Sequence, residues 1–405
     1  MPVDVRALDS GHRAFFEAAD LAFGEHSRDE DFASFEALFE ADRAIAAYDG
    51  TRIVGTAGAF GYQLTVPGGI LPAAGVTVVG VQPTHRRQGI LRRMMRMQLD
   101  DLHERGEPLA ILWASEGGIY QRFGYGLATV AAKVDVERDR NAFRRPHAPV
   151  GTVRFVDADE AGRSFPPIFE AVRPTRAGFF DRSEAYWREA FLRDPEHWRH
   201  GASAAFHVLH ETDGTPDGYV RYRVREKWED TPKSSLIVVE KLATSPAADL
   251  DLWRFLLDID LMGRLEWWNL PPDDPILLTI LEPRRLGLGL GDGLWLRIVD
   301  VAPALAGRRY AADGRVVLEL VDEFCTWNAG RWSLSVEGGV PLVEPTTDPP
   351  DLACDTTDLA AAYLGAFGFR RLADAGRGQE LQPGGISRAD ALFRTDRAPW
   401  CPRVF

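Results

Sequence analysis

Six consecutive residues, Arg86-Arg87-Gln88-Gly89-Ile90-Leu91, have the composition of a pyrophosphate site. Two guanidinium groups supply positive charge, and Gly89 lets a phosphate approach the backbone where a side chain would block it. If a helix opens on this turn, its first unpaired N–H groups and the positive end of its dipole face any bound anion. Some 35 residues on, Tyr125 lies in Phe123-Gly124-Tyr125-Gly126, where flanking glycines project the ring from a loop. A phenol with a reference pKa of about 10 keeps its proton at neutral pH and can pass it to a leaving group. Group transfer needs such an acid, a base for the acceptor and polarisation of the bond that breaks. On residue type and spacing alone, a basic turn that caps a surface helix and a tyrosine packed under a turn remain open explanations.

The elements that must position these groups are legible around them. Val76, Val78, Val79 and Val81 form a β-branched run that predicts a strand, which Pro83 ends by withholding a ladder donor. Ile90, Leu91, Met94, Met95, Leu99 and Leu102 recur at helical spacing, with Arg92, Arg93, Arg96, Asp100 and Asp101 on the other face, until Gly106 and Pro108 stop the helix. Leu109–Ala114 predicts a further strand, with Ser115 and Glu116 at its end.

The basic loop resembles the acyl-CoA pyrophosphate loop of GCN5-related N-acetyltransferases (GNAT), with Leu91 departing at the last position, where that pattern has Gly or Ala. Together with Ala114-Ser115-Glu116-Gly117-Gly118-Ile119-Tyr120, the Tyr125 loop, Asp292-Gly293-Leu294-Trp295-Leu296-Arg297-Ile298-Val299-Asp300-Val301 and Cys401-Pro402-Arg403-Val404-Phe405, it resembles the Eis (enhanced intracellular survival) acetyltransferase family over nearly the whole chain. The resemblance implies an α/β (α+β) chain of tandem GNAT folds followed by a sterol-carrier-protein-like domain. It implies acetyl-CoA as co-substrate, held by the backbone of Val79, Gly80 and Val81, by the loop Arg87, Gln88, Gly89, Ile90, Leu91 and Arg92, and by Ser115 and Glu116. Tyr125 becomes the general acid. The terminal carboxylate of Phe405 becomes the base or, as a fixed negative charge, a holder of a cationic amine. A homohexamer and substrates of the aminoglycoside or polyamine kind, acetylated at more than one amine, belong to the same resemblance.

Length and periodicity set the domain plan. A chain of 405 residues exceeds one ordinary hydrophobic core. Residues 1–148 carry the first α/β unit, with strands around Arg43–Ala47 and Arg52–Ala59 joined at Asp49-Gly50 and a helix over Ala14–Phe23; Arg144–Pro149 reads as a linker. Residues 149–298 repeat the order, with strands over 204–210, 217–225, 237–242 and 276–281 and a helix over 250–263. After Leu242, however, Ala243-Thr244-Ser245-Pro246-Ala247-Ala248 lacks both arginines and the glycine, so this unit is expected to bind no cofactor. Residues 299–405 predict strands over 316–321 and 331–336 and helices over 357–363 and 388–393.

Composition narrows the rest. Lys plus Arg at 47 against Asp plus Glu at 60 leaves a formal charge of -13, which disfavours nucleic acid as a partner. Acidic residues such as Asp31, Glu36 and Glu40 would suit a polycation, although solvated helix charges explain them too. No apolar run reaches the roughly 20 residues of a membrane span, and no signal peptide opens the chain, so a cytoplasmic protein is expected. Cys325, Cys354 and Cys401 read as reduced structural thiols, and no metal site is expected. His207 and His210 fall on opposite faces of one strand, His197 and His200 do not suit a metal, and Gly287, Gly289, Gly291 and Gly293 read as a turn. The rival class is a non-catalytic lipid- or protein-binding regulatory protein built on the same folds.

Overall fold

Two long apolar segments meeting at Pro67-Gly68 make the hairpin on which the first sheet is built. In a computed structural model, which describes residues 3–137, 142–230 and 232–405, that hairpin pairs β3 (Arg52–Val66) with β4 (Gly69–Val81). Before it come β1 (Asp4–Ala7) and β2 (Ile45–Asp49), and after it β5 (Leu109–Trp113) and β6 (Gly126–Leu127). Then follow β7 (Val130–Glu137), β8 (Thr152–Val156), β9 (Phe206–Thr212), β10 (Thr215–Arg225), β11 (Ser234–Ala243), β12 (Met262–Leu270), β13 (Gly289–Asp292) and β14 (Leu294–Ile298). The last region supplies β15 (Gly314–Val321), β16 (Gly330–Glu337), β17 (Val340–Pro345), β18 (Leu352–Asp355) and β19 (Gln379–Glu380).

Three sheets result, ordered β1-β2-β3-β4-β5-β14-β6, β13-β7-β12-β11-β10-β9-β8 and β17-β16-β15-β18-β19. The chain divides into one unit of Met1–Thr129, Gly293–Pro399 and Val404–Phe405, and another of Val130–Asp292 and Trp400–Arg403. The sheets therefore exchange strands across the boundaries expected at 148 and 298: β7 leaves for the second sheet and β14 returns to the first. Leu294 N–H donates to Thr129 Oγ1 (2.7 Å) and Gly293 N–H to the Thr129 carbonyl (3.1 Å), fastening the point of departure to the point of return. Alternating apolar residues mark β7 as a strand but carry no information about which sheet it joins.

In the first unit, α1 (His12–Phe23) and α2 (Asp29–Leu38) follow β1, and α3 (Ile90–Arg105) follows β4. Ile90 and Met94 of α3 pack with Ile45, Ala47, Val54 and Ala57, and Met95, Leu99 and Leu102 pack with Ala74, Val76, Ala110 and Leu112. Burial of such side chains is worth about 1.5–3 kcal/mol each, far more than helix propensity contributes. On another side of the sheet, Phe15 and Ala18 of α1 pack with Ala44, Ala46 and Ile53.

Several sequence expectations shift. The helix expected over 250–263 spans Pro246–Asp258, because Ser245 caps it through the Ala248 N–H and Met262 already begins β12. The strand expected over 276–281 is a helical turn, Ile276–Thr279, started by Asp274 Oδ1 accepting from Ile276 N–H (2.9 Å). A short apolar run is ambiguous between the two states, and the adjacent cap decides it. Gly289–Asp292, read as a turn, pairs with β7 as a strand. The expected strands over 316–321 and 331–336 lie in β15 and β16, and the expected helices in Thr356–Tyr363 and Gly385–Phe393. Among the described residues no helix is long and apolar enough to cross a membrane.

Candidate active site

β4 runs parallel to β5 only from Ala73 to Gly75; beyond that pair the strands part, and Val76–Val81 keeps β3 alone as its ladder partner. A bulge sits in the parted half, where Ala57 of β3 faces both Val78 and Val79. Val78 has φ +47°, a left-handed conformation that costs a β-branched residue about 1–3 kcal/mol. The fork leaves the Val79–Val81 edge without a strand partner on the β5 side.

At the wide end of the fork the basic turn leads into α3. Arg87 and Gly89 are both left-handed (φ +64° and +74°), and Gly89 occupies the N-cap position without any side-chain cap. The first-turn N–H groups of α3 are thus left open to an anion. Arg86 is already engaged, its Nη2 donating to the Ala22 carbonyl (3.3 Å) and its Nε to that of Val81 (3.2 Å), so it fastens the end of α1. Arg87 has no partner among the described residues.

These groups line one cleft of about 880 Å3. Val79, Gly80, Val81, Arg87, Gly89, Ile90, Leu91, Arg92, Ser115 and Glu116, all singled out by sequence, meet there. Gln88 does not line it; the side chain is exposed on the turn. Sequence reasoning missed Ala22, Phe23, His85, Ile119, Tyr120, Arg122 and Phe123, which complete the walls. Arg122 was findable as a cation beside the Phe123-Gly124-Tyr125 motif. Ala22 and Phe23 were not, since only the packing of α1 on β4 brings them there, where a Cβ on Gly80 would lie 2.7 Å from Ala22 Cβ. The acidic candidates are engaged elsewhere. Asp31 accepts from Arg28 N–H, Glu36 pairs with His12 at 3.8 Å, and Glu40 accepts from Gly61 N–H and pairs with Arg43 at 3.5 Å.

Tyr125 is fully buried among Ala59, Ala74, Val76, Leu99, Leu112 and Phe324. Its Oη has no hydrogen-bond partner among the described residues, and Tyr120, which lines the cleft where Tyr125 does not, stands edge-on to it at 5.8 Å. Burial pushes the Tyr125 phenol well above its ordinary pKa, and the Arg297 guanidinium offsets this only in part. Burial, helped by Glu116, pushes Tyr120 up to about 12. Both rings keep their protons across the neutral range. Arg297, itself buried, donates to Asp322 Oδ2, Thr356 Oγ1 (2.7 Å) and the Gly124 carbonyl (3.5 Å). Gly124 has φ +83°, and a Cβ there would fall 1.7 Å from Arg297 Nη1, so that turn admits only glycine.

Phe405 is placed at the fork. Its ring meets Tyr62 of β3 edge-on at 5.3 Å, and its Cε2 lies 3.1 Å from where Gly75, the last residue shared by β4 and β5, would carry a Cβ. In the second unit the preceding residues are held independently. Asn269 Nδ2 donates to the carbonyls of Cys401 (3.1 Å) and Pro402 (2.9 Å), and Arg403 Nη2 to that of Ala190 (2.6 Å).

The second unit has the same fork, since β11 parallels β12 only as far as Ile237. Here the parted half carries Glu240, which is buried and takes both Nη groups of Arg182 (2.9 and 2.6 Å) and the Tyr219 hydroxyl (2.6 Å). Phe169, Trp187 and Phe191 pack around that guanidinium. Pro246 opens the following helix under the Ser245 cap, so that helix start is capped by a side chain where α3 has none. Arg182→Met would strand the Glu240 carboxylate in this interior. It is expected to lower stability by about 3–5 kcal/mol in urea unfolding, with the first unit's cleft unchanged.

Residues 5–128 match the family described as Acetyltransferase (GNAT) domain, residues 178–298 a second family of that description, and residues 301–402 the family described as Sterol carrier protein domain. An uncharacterized N-acetyltransferase of Streptomyces avermitilis is 41% identical over 413 residues, covering 100% of both chains. N-acetyltransferase Eis of Mycobacterium tuberculosis is 35% identical over 397 residues, 94% of this chain and 94% of its own. The solved structure of Eis1 from Mycobacterium abscessus has a TM-score of 0.87 and 34% identity over 99% of this chain and 100% of that one.

Proposed function

Since the chain belongs to the Eis family of GNAT N-acetyltransferases, we propose that it moves acetyl from acetyl-CoA to primary amines of a polycationic small molecule of the aminoglycoside class, at more than one position. The observation that carries the acetyl-CoA part is the convergence in one cleft of a strand edge with no neighbouring strand, an uncapped helix start and Arg87. The Arg87–Arg92 turn fits a pyrophosphate, and the free edge of Val79–Val81 fits the amides of the pantetheine arm. Ser115 and Glu116 face the same space from the end of β5. Supporting a cationic acceptor is the net charge of -13.

Tyr125 is the general acid in this reading, its orphaned hydroxyl being the proton source for the departing thiolate. Tyr120, which lines the cleft, is the rival donor. Tyr125→Phe is expected to lower kcat by about 10²–10⁴-fold, the usual worth of a positioned acid, while Tyr120→Phe costs under about tenfold. Because burial raises the Tyr125 pKa, the acid stays protonated and kcat is not expected to fall as pH rises through about 10, where an exposed tyrosine would ionise. A larger loss in Tyr120→Phe than in Tyr125→Phe would reassign the role.

The Phe405 carboxylate takes the amine's proton, directly or through water, or holds the ammonium by charge. The homohexamer and cytoplasmic location belong to the same reading; light scattering giving six times 45.0 kDa would support the former. The deciding experiment is thiol release from acetyl-CoA against aminoglycosides, polyamines and lysine peptides, followed by mass spectrometry of the product. Multiple acetyl additions to an aminoglycoside support the full reading, and turnover with lysine peptides alone overturns the acceptor class.

A further inference from the structure

The bulge that frees Val79–Val81 is an unfavourable piece of backbone with an identifiable restraint. Val78 adopts φ +47° in mid-strand, where a β-branched side chain resists the left-handed region. Left to itself, that residue would relax to extended geometry and shift the register of everything after it. Thr56, fully buried on β3, donates its hydroxyl to the Val78 carbonyl at 2.7 Å. Two residues on, the Gly58 carbonyl accepts from Gln98 Nε2 of α3 at 3.3 Å, and the Val78 Cγ2 atom lies 3.1 Å from where Gly58 would carry a Cβ. The β3 side of the bulge is thereby tied to the helix that opens on the pyrophosphate turn, and its β4 side to Thr56.

We propose that Thr56 is a positioning residue for the acyl-CoA arm: its hydroxyl holds Val78 in the left-handed conformation that presents the backbone of Val79–Val81 to the cleft. The inference rests on the acetyl-CoA reading of that cleft. Thr56 does not line it and acts only through Val78. Valine at position 56 keeps the shape and strand preference of threonine but leaves the Val78 carbonyl unpaired. Glycine at position 78 adopts a positive φ without help and so removes the need for the restraint.

The test is acetyl-CoA affinity by calorimetry together with amide hydrogen exchange over 76–81 in the ligand-free protein. Thr56→Val is expected to weaken acetyl-CoA binding by about tenfold, the worth of one buried hydrogen bond, and to speed exchange in that segment. Thr56→Ser should stay within about twofold of the wild type, and Thr56→Val with Val78→Gly should bind within about threefold of Val78→Gly alone. Unchanged affinity and exchange in Thr56→Val, a Thr56→Ser variant as weak as Thr56→Val, or no rescue by Val78→Gly would each overturn the proposal. A wild-type protein that binds no acetyl-CoA would instead refute the reading of the cleft, and the exchange data would still show whether Thr56 holds the bulge.

Discussion

Gly89→Asp is expected to reduce acetyl-CoA binding below detection in calorimetry while lowering stability by no more than about 1–2 kcal/mol, the cost of a side chain at the left-handed φ of +74°. A carboxylate at the N-cap of α3 faces the same first-turn N–H groups that a pyrophosphate would use, so it puts a negative charge in the anion site. Like charges about 4 Å apart at a protein surface repel by about 4 kcal/mol, which is roughly a thousandfold in affinity. Nothing lies within 4 Å of a Cβ at this position, so the only cost to the fold is the left-handed backbone, which a melting curve reads separately from binding. Asparagine at 89 adopts positive φ and caps the helix without the charge; a milder loss there isolates the electrostatic part. Arg87→Ala combined with Gly89→Asp should leave no residual binding, and retention of acetyl-CoA by the double variant would remove the turn from the cofactor site.

Loss of the Phe405 carboxylate is expected to lower turnover by at least about 100-fold while acetyl-CoA affinity and thermal stability hold. Deleting Phe405 and extending the chain beyond it should behave alike, because both take the charge from the fork. The tail's other anchors, Asn269 on Cys401 and Pro402 and Ala190 on Arg403, remain in both variants. A third arm keeps the carboxylate but moves its seat. At Gly75→Ala the new Cβ would lie 2.3 Å from Tyr62 Cε2 and 3.1 Å from Phe405 Cε2, displacing both rings. Its kcat should fall in the same direction by a smaller factor. If the carboxylate takes a proton, the acidic limb of the kcat profile vanishes with it; if it only holds an ammonium, the loss appears in KM for the amine. Full activity in the extended chain would end the proposal.

How much of this was readable beforehand depended on how local the causes are. The basic turn and its uncapped helix were legible because each of their properties is carried by adjacent residues: charge by Arg87, open backbone by Gly89, helix start by the periodicity from Ile90. That the segment after Leu242 carries no arginine–glycine turn was legible directly, whereas the Arg182–Glu240 pair joins positions 58 apart and has no sequence signature. Gln88 does not line the cleft, because adjacency within a turn does not say which side chain faces it.

The sequence by itself determined the α/β alternation, the family, the basic turn that opens α3 and the candidate acid and base, since these follow from residue type, short-range periodicity and motif. Tertiary structure alone decided that β7 and β14 change sheets, that Ala22 and Phe23 wall the cleft, that Tyr120 lines the cleft while Tyr125 is buried against it, and that Phe405 lies against Tyr62 at Gly75. Each of those outcomes depends on which distant surfaces exclude water together. Hydrophobic burial and strand pairing carry no directional label in the chain, so their partners are chosen only when the whole core closes.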